Sequence, residues 1–174
     1  MTLTQPAGRT QMLTALALLI GMAVTVGTAL GFQHIGGYIP CKLCLEQRTP
    51  YYVGMPLMAL ALLSSTLKLP GVVTRGLLLA GGGLMAYGAY LGGFHSGVEW
   101  GWWPGPTDCG AVDAPPAGDG AGGILDSLNT FVPPSCDEAA GRFLGLSFAG
   151  WNVVASVVLA LVAFHGAFAR NKTS

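Results

Sequence analysis

The reactive chemistry of this chain sits in its sulfur. There are four cysteines, Cys41, Cys44, Cys109 and Cys136. Cys41 and Cys44 form a Cys-x-x-Cys pair, whose bridge closes a very small ring, constrains little chain and is strained and exchangeable. Cys109 and Cys136 have 26 residues between them. A bridge there would stabilise by roughly 3–4 kcal/mol as a staple in the chain-entropy model. In a mobile loop it could instead carry a thiol between partners. Several pairings are open to four cysteines, and Cys41–Cys44 with Cys109–Cys136 is the simplest. A cation follows the first pair: in Pro40-Cys41-Lys42-Leu43-Cys44-Leu45-Glu46-Gln47-Arg48, a helix would put Cys41, Cys44 and Arg48 on one face. A guanidinium and a helix N-terminus both favour thiolate, the species that attacks a disulfide. Against a continuous helix, Thr49-Pro50 reads as an N-cap followed by proline at the first helical position.

The elements that must position these sulfurs follow from composition. Apolar residues make up 52% of the 174 and charged residues only 9%, against about 25% charged in soluble domains. Such a chain cannot cover a globule with polar surface, so an ordinary soluble domain is excluded, and zero net charge excludes a basic nucleic-acid binder. The expectation is one all-α integral membrane domain over 1–174, a four-helix transmembrane bundle. Its spans lie at about 12–32, 50–67, 76–94 and 148–168, each uncharged and long enough for ~30 Å of hydrocarbon. Pro56 is expected to kink the second. The first run is too long for the h-region of a signal peptide and reads as a retained span. Small residues four apart, Gly27 with Gly31 and Gly88 with Gly92, are expected to mark close helix contacts.

Charge asymmetry orients the bundle. With both termini cytoplasmic, the inner segments hold Arg9, Lys68, Arg75, Arg170 and Lys172 and no acid, while the outer ones hold Lys42, Arg48, Arg142 and every Asp and Glu. The outer loops are then about 33–49 and 95–147, and all four cysteines fall on the side where disulfides persist. Trp100, Trp102 and Trp103 belong at the headgroup level. From Gly105 to Gly123 the second loop reads as flexible. Ile124, Leu125, Leu128, Phe131 and Val132 suggest a short interfacial helix ended by Pro133-Pro134. A zinc site is the competing use of four cysteines, but the second pair lacks finger-like spacing and the compartment is oxidising; no metal is expected. Structural staples in a membrane protein with another task are the non-catalytic alternative. No alternating helix–strand pattern surrounds the motif, which excludes a thioredoxin-like domain.

Pro-Cys41-x-Leu-Cys44-x-x-x-Arg48 at the mouth of a second span resembles the bacterial disulfide-bond formation protein B (DsbB) family. So do Phe32-Gln33-His34, the step from there to Cys41, the Cys109 and Cys136 pair in the second outer loop, and Phe143-Leu144-Gly145-Leu146 before the last span. The resemblance covers nearly the whole chain. It implies an inner-membrane protein-disulfide:quinone oxidoreductase that re-oxidises a periplasmic, DsbA-like thioredoxin-fold oxidase and passes electrons to ubiquinone or menaquinone in the lipid bilayer. By position, Cys109 resembles the cysteine that forms a mixed disulfide with the soluble oxidase, and Cys136 the one that releases the oxidised partner and exchanges with Cys41. Cys44 resembles the cysteine whose thiolate faces the quinone, and Arg48 and His95 the quinone-side residues, with Arg48 also depressing the Cys44 pKa. His34 and Glu99 are candidates of lesser weight, Glu99 expected to be solvated, and His165 is read as an inner interface residue. Gln47 replaces the Glu that some members carry before the Arg, so that carboxylate cannot be part of this site. Vitamin K epoxide reductase homologues also couple a Cys-x-x-Cys to a quinone, but their redox pair generally lies later in the chain.

Overall fold

The computed structural model describes residues 7–106 and 136–169. Cys109, the interfacial helix expected over Ile124–Val132, most of the Gly/Pro-rich stretch, and Arg170 and Lys172 lie outside the described residues. Helix α1 (Arg9–His34) is followed by the single turn α2 (Lys42–Glu46), then α3 (Thr49–Thr66) and α4 (Gly71–Glu99). A two-stranded hairpin, β1 (Arg142–Phe143) and β2 (Leu146–Ser147), leads into α5 (Phe148–Phe168).

Three helices, α1, α4 and α5, are long and apolar enough to cross a membrane. Their outward faces carry Ile20, Val24, Tyr90, Val158 and Leu161, all largely exposed. So much apolar surface is stable only against lipid. Helix α3 is more polar, because Pro50, Tyr51, Tyr52, Pro56, Ser64, Ser65 and Thr66 take up much of its 18 residues. It stays helical through Pro56.

Helix α4 outlasts its apolar run. Its 29 residues reach about 44 Å at ~1.5 Å per residue, beyond the ~30 Å of a hydrocarbon core. Nothing breaks it after Phe94 until Gly101, which takes φ +70° while Trp102 N–H and Gly101 N–H bond back to Gly97 and Val98 carbonyls. This Schellman-type stop leaves His95 and Glu99 one turn apart on the helix, instead of in a loop as the apolar run alone suggests.

Around the ring, α1 packs on α3, α3 on α4, α4 on α5 and α5 back on α1. At one end Gln11 Nε2 and Arg75 Nη2 both donate to the Ala169 carbonyl, at 3.2 and 3.3 Å. At the other end, the Phe32 and Phe148 rings meet at 4.9 Å. Leu18, Met22, Tyr51, Met58, Leu78 and Met85 are fully buried between them. Two of these thioethers lie where glycine leaves room: Met22 against Gly54 and Met58 against Gly81.

The glycine pairs divide. A Cβ on Gly88 would meet Ser156 of α5, and one on Gly92 would meet Val153, Asn152 and the Ala149 carbonyl. This is the close α4–α5 seam expected of small residues in lipid. A Cβ on Gly27 or Gly31 would meet nothing within 4 Å, so among the described residues that pair marks no close helix contact, contrary to the expectation. Gly92→Leu is therefore expected to destabilise by about 1–3 kcal/mol through overpacking, and Gly27→Leu to be neutral. Thermal unfolding in detergent measures both. Equal loss in the two variants would reject the seam.

The hairpin qualifies the all-α expectation. Arg142 pairs with Ser147 and Phe143 with Leu146. The two residues between, Leu144 and Gly145, both take positive φ, +52° and +84°, as a type I′ turn requires. Trp151 Nε1 donates to the Phe143 carbonyl at 2.9 Å and fixes the hairpin on α5.

Candidate functional site

The Cys-x-x-Cys pair sits on α2. Pro40 precedes it, and Cys41 occupies the N-cap, where its sulfur accepts the Cys44 N–H at 3.4 Å. Helix α3 starts separately at Thr49, with Pro50 in its first turn. The start of a new helix beside Thr49-Pro50 is as expected, but the cap is Arg48 and Thr49 is already helical, and the first helix ends at Glu46, short of Arg48, so Gln47 and Arg48 form the joint between two helices. The two sulfurs are free and 3.0 Å apart. Cys41 is buried at 4% exposure and Cys44 is half-buried.

One proton between two sulfurs makes them unequal. The Cys44 thiol donates to the Cys41 sulfur, and His95 and the Cys44 backbone N–H add to it. Together they outweigh burial and lower the Cys41 pKa to about 4. Cys44 is pushed the other way by that same hydrogen bond, by burial and by the adjacent charge on Cys41; Arg48 opposes this only weakly. In the reduced pair Cys41 is therefore the thiolate and Cys44 holds the proton. Arg48 does act on Cys44 in the expected direction, but in this state its pull is outweighed by the neighbouring sulfur and by burial. That guanidinium is turned to α1, where Nη1 donates to Gln33 Oε1 at 2.6 Å.

His95 comes to the pair from α4, its Nε2 3.8 Å from Cys41 Sγ. Its Nδ1 lies 2.6 Å from Gln47 Nε2. Glu99, expected in solvent, is instead buried: its side chain is 4% exposed, Oε1 lies 3.8 Å from His95 Nε2, and Oε2 has no hydrogen-bond partner among the described residues. Placing Glu99 one turn along the same helix turns it inward. Cys41, Cys44, His95, Glu99 and Glu138 line a crevice of about 20 Å³, room for roughly one water. Cys41, Cys44 and His95 have ligand atoms within 4.8 Å of one another, close enough to hold a soft divalent ion.

Cys136 joins the same apolar cluster as Cys41, Leu43 and Val98. It is disulfide-bonded, 1% exposed, and borders an open hollow of about 540 Å³ lined by Trp102, Trp103 and Asp137. His34 and His165 are exposed, and neither reaches the sulfurs. Phe148 lines the same crevice as Cys44, and the rings of Phe32, Tyr38 and Phe148 pack together at 4.9 to 6.1 Å, with Phe32 and Tyr38 each 41% exposed.

Gln33, Gln47, Asn152, Tyr51 and Ser156 complete the surroundings, and sequence reading missed them. The signal was available for Asn152 and Ser156, which are polar residues four apart in an otherwise apolar span, where such groups are costly and usually functional. Gln47 was set aside for lacking a carboxylate, yet its amide is 6% exposed and central to the site.

The family model described as Disulfide bond formation protein DsbB matches residues 11–166. A Disulfide bond formation protein B from Polaromonas sp. is 28% identical over 159 residues, covering 83% of this chain and 84% of its own. No solved structure matches significantly.

Proposed function

This chain belongs to the DsbB family of disulfide bond formation proteins, membrane oxidoreductases, and from that premise we propose that it re-oxidises a periplasmic DsbA-like dithiol oxidase and passes the electrons to a membrane quinone. In this reading α1, α3, α4 and α5 all span the inner membrane. Both termini are cytoplasmic, and the cysteine loops are periplasmic. The observation that carries it is the placement of two sulfur systems in one apolar cluster: a free Cys41–Cys44 pair with the thiolate on Cys41, and the disulfide-bonded Cys136 beside it.

The exchange balances as follows. The partner's thiolate bonds Cys109 and displaces Cys136, the Cys109–Cys136 disulfide being the pairing expected from the sequence. Cys136 then bonds Cys41 of an oxidised Cys41–Cys44 pair, and Cys44 leaves as thiolate. The partner's second thiolate attacks its own sulfur, releases the oxidised partner and frees Cys109. Cys109 attacks Cys136, restores their bridge and leaves Cys41 as thiolate. Net, the partner loses two electrons and two protons, and the Cys41–Cys44 pair gains them. While Cys41 is tied in the mixed disulfide, its charge no longer opposes ionisation of Cys44. Arg48 then favours the leaving thiolate.

A quinone, when bound, supplies a two-electron, two-proton acceptor soluble in lipid. The residues fit one: the Arg48 guanidinium is a planar donor head for a carbonyl oxygen, and the half-exposed Phe32–Tyr38–Phe148 cluster, whose Phe148 lines the same crevice as Cys44, offers apolar ring surface. His95 lies against Cys41, so it serves the sulfur first. In proteoliposomes with quinone and a reduced thioredoxin-fold oxidase, wild type is expected to turn over. Arg48→Ala should raise the apparent KM for quinone by roughly 10–100-fold, the loss of a charge-assisted hydrogen bond. Unchanged KM and rate would remove Arg48 from the site; no quinone reduction by wild type would sink the reading.

A further inference from the structure

A chain of buried side chains runs across the bundle and ends on His95. Ser156 and Asn152 stand one turn apart on α5, Tyr51 on α3, and Gln47 at the joint before it. Tyr51 Oη lies 2.7 Å from Ser156 Oγ and donates to Asn152 Oδ1 at 2.8 Å. Asn152 Nδ2 donates to Gln47 Oε1 at 2.8 Å, and Gln47 Nε2 meets His95 Nδ1 at 2.6 Å.

An amide's two ends look alike, so the direction of such a chain must be earned from partners that can act in only one way. Two backbone carbonyls do this. Asn152 Nδ2 also faces the Gly88 carbonyl at 3.3 Å, and Gln47 Nε2 also faces the Leu43 carbonyl at 3.3 Å. A carbonyl only accepts, so each must see an NH2 group. Asn152 then presents its oxygen to Tyr51, whose proton goes there, and Ser156 donates to Tyr51. Gln47 presents its oxygen to Asn152 and its second N–H to His95. Flipping either amide would set oxygen against a carbonyl oxygen, and between the two amides it would set nitrogen against nitrogen if Gln47 turned or oxygen against oxygen if Asn152 turned.

His95 Nδ1 therefore accepts, and the neutral ring carries its proton on Nε2. That N–H faces two electron-rich groups, Cys41 Sγ and Glu99 Oε1, each at 3.8 Å. The same direction disfavours the ring as a metal ligand through Nε2, which would need that lone pair bare. The titratable groups around the ring are Cys41 and Cys44 from the first loop, Glu99 on its own helix and Glu138 across the crevice.

We propose that Gln47 and Asn152 are positioning residues that lock His95 in its Nε2–H tautomer, so that the ring is a fixed hydrogen-bond donor to the Cys41 sulfur. This rests on Cys41 being the exchanging sulfur, but the lock itself can be seen without any turnover.

The test is ¹⁵N NMR of the full-length, ¹⁵N-histidine-labelled protein in detergent micelles at neutral pH with the Cys41–Cys44 pair reduced. The exposed His34 and His165 serve as internal references, and His95→Phe identifies the third signal. Wild type should show Nε2 of His95 protonated and Nδ1 bare, the ratio exceeding that of His34 by about tenfold, as one hydrogen bond sustains. Gln47→Glu keeps the shape but can only accept, and should move the proton to Nδ1. Asn152→Leu does not touch His95; it removes one of the two groups that orient the Gln47 amide and leaves the Leu43 carbonyl as the other, so it should move the ratio part of the way toward that of His34. A wild-type ring with Nδ1 protonated or with the His34 ratio would overturn the proposal, as would a Gln47→Glu spectrum unchanged from wild type. Failure of quinone-dependent turnover would leave these spectra as they are, so the two readings fail separately.

Discussion

Cys41→Ser is expected to stop after a single turnover. One equivalent of reduced partner should still be oxidised per protein, through the Cys109–Cys136 bridge, and no quinone should be reduced. The reason lies in the relay: Cys136 has no disulfide left to attack, so the electrons remain in the second loop. Steady-state oxidation should fall roughly 10⁴-fold or more, the usual cost of deleting the nucleophile from a unit that acts together. Stoichiometry separates this from misfolding, because a misfolded variant would oxidise no partner at all. Sustained quinone reduction by Cys41→Ser would place the redox pair elsewhere and leave the Cys-x-x-Cys as a structural bridge.

In the reduced protein, Cys41 should react with a small alkylating reagent at pH 6 nearly as fast as at pH 8, while Cys44 stays unmodified. A thiol held at about 4 is ~99% thiolate at pH 6, whereas one near the ordinary ~8.5 is well under 1%, a ratio of about 300. The sign follows from the lowered value: the thiolate is present above pH 4 and is lost as the pH falls through it, by about tenfold per unit below. Burial slows the absolute rate but leaves the shape of the profile unchanged. His95→Phe removes one of the donors to the Cys41 sulfur and should move the inflection upward. Peptide mapping by mass spectrometry at each pH reads both cysteines together. A Cys41 rate that climbs tenfold per unit between pH 6 and 8, or Cys44 labelled first, would contradict the assignment.

Much of this was visible in the residues. Apolar run length placed the long helices, because backbone in lipid has few alternatives to helix. The Cys-x-x-Cys with Arg48, and the second cysteine pair, pointed to the family whose model matches 11–166. What stayed hidden depends on how helices rotate and where they end. An apolar run stops at its last greasy residue, whereas α4 stops where Gly101 permits it, and that extra length brought His95 and Glu99 inward. Gly27 and Gly31 have the same spacing as Gly88 and Gly92, but only the second pair faces a neighbouring helix. The split of one proton between Cys41 and Cys44 needs a distance of 3.0 Å, which spacing along the chain does not give.

The sulfur of this protein is not all in its cysteines. Met22 and Met58 are entirely buried, their tips lodged where Gly54 and Gly81 have no side chain. An added oxygen on either thioether would need space that the missing side chains have already surrendered, and would set a polar sulfoxide inside an apolar seam. These two thioethers are thus kept behind closed helices. Peroxide damage there would begin only after the bundle had parted, and would then hold it open.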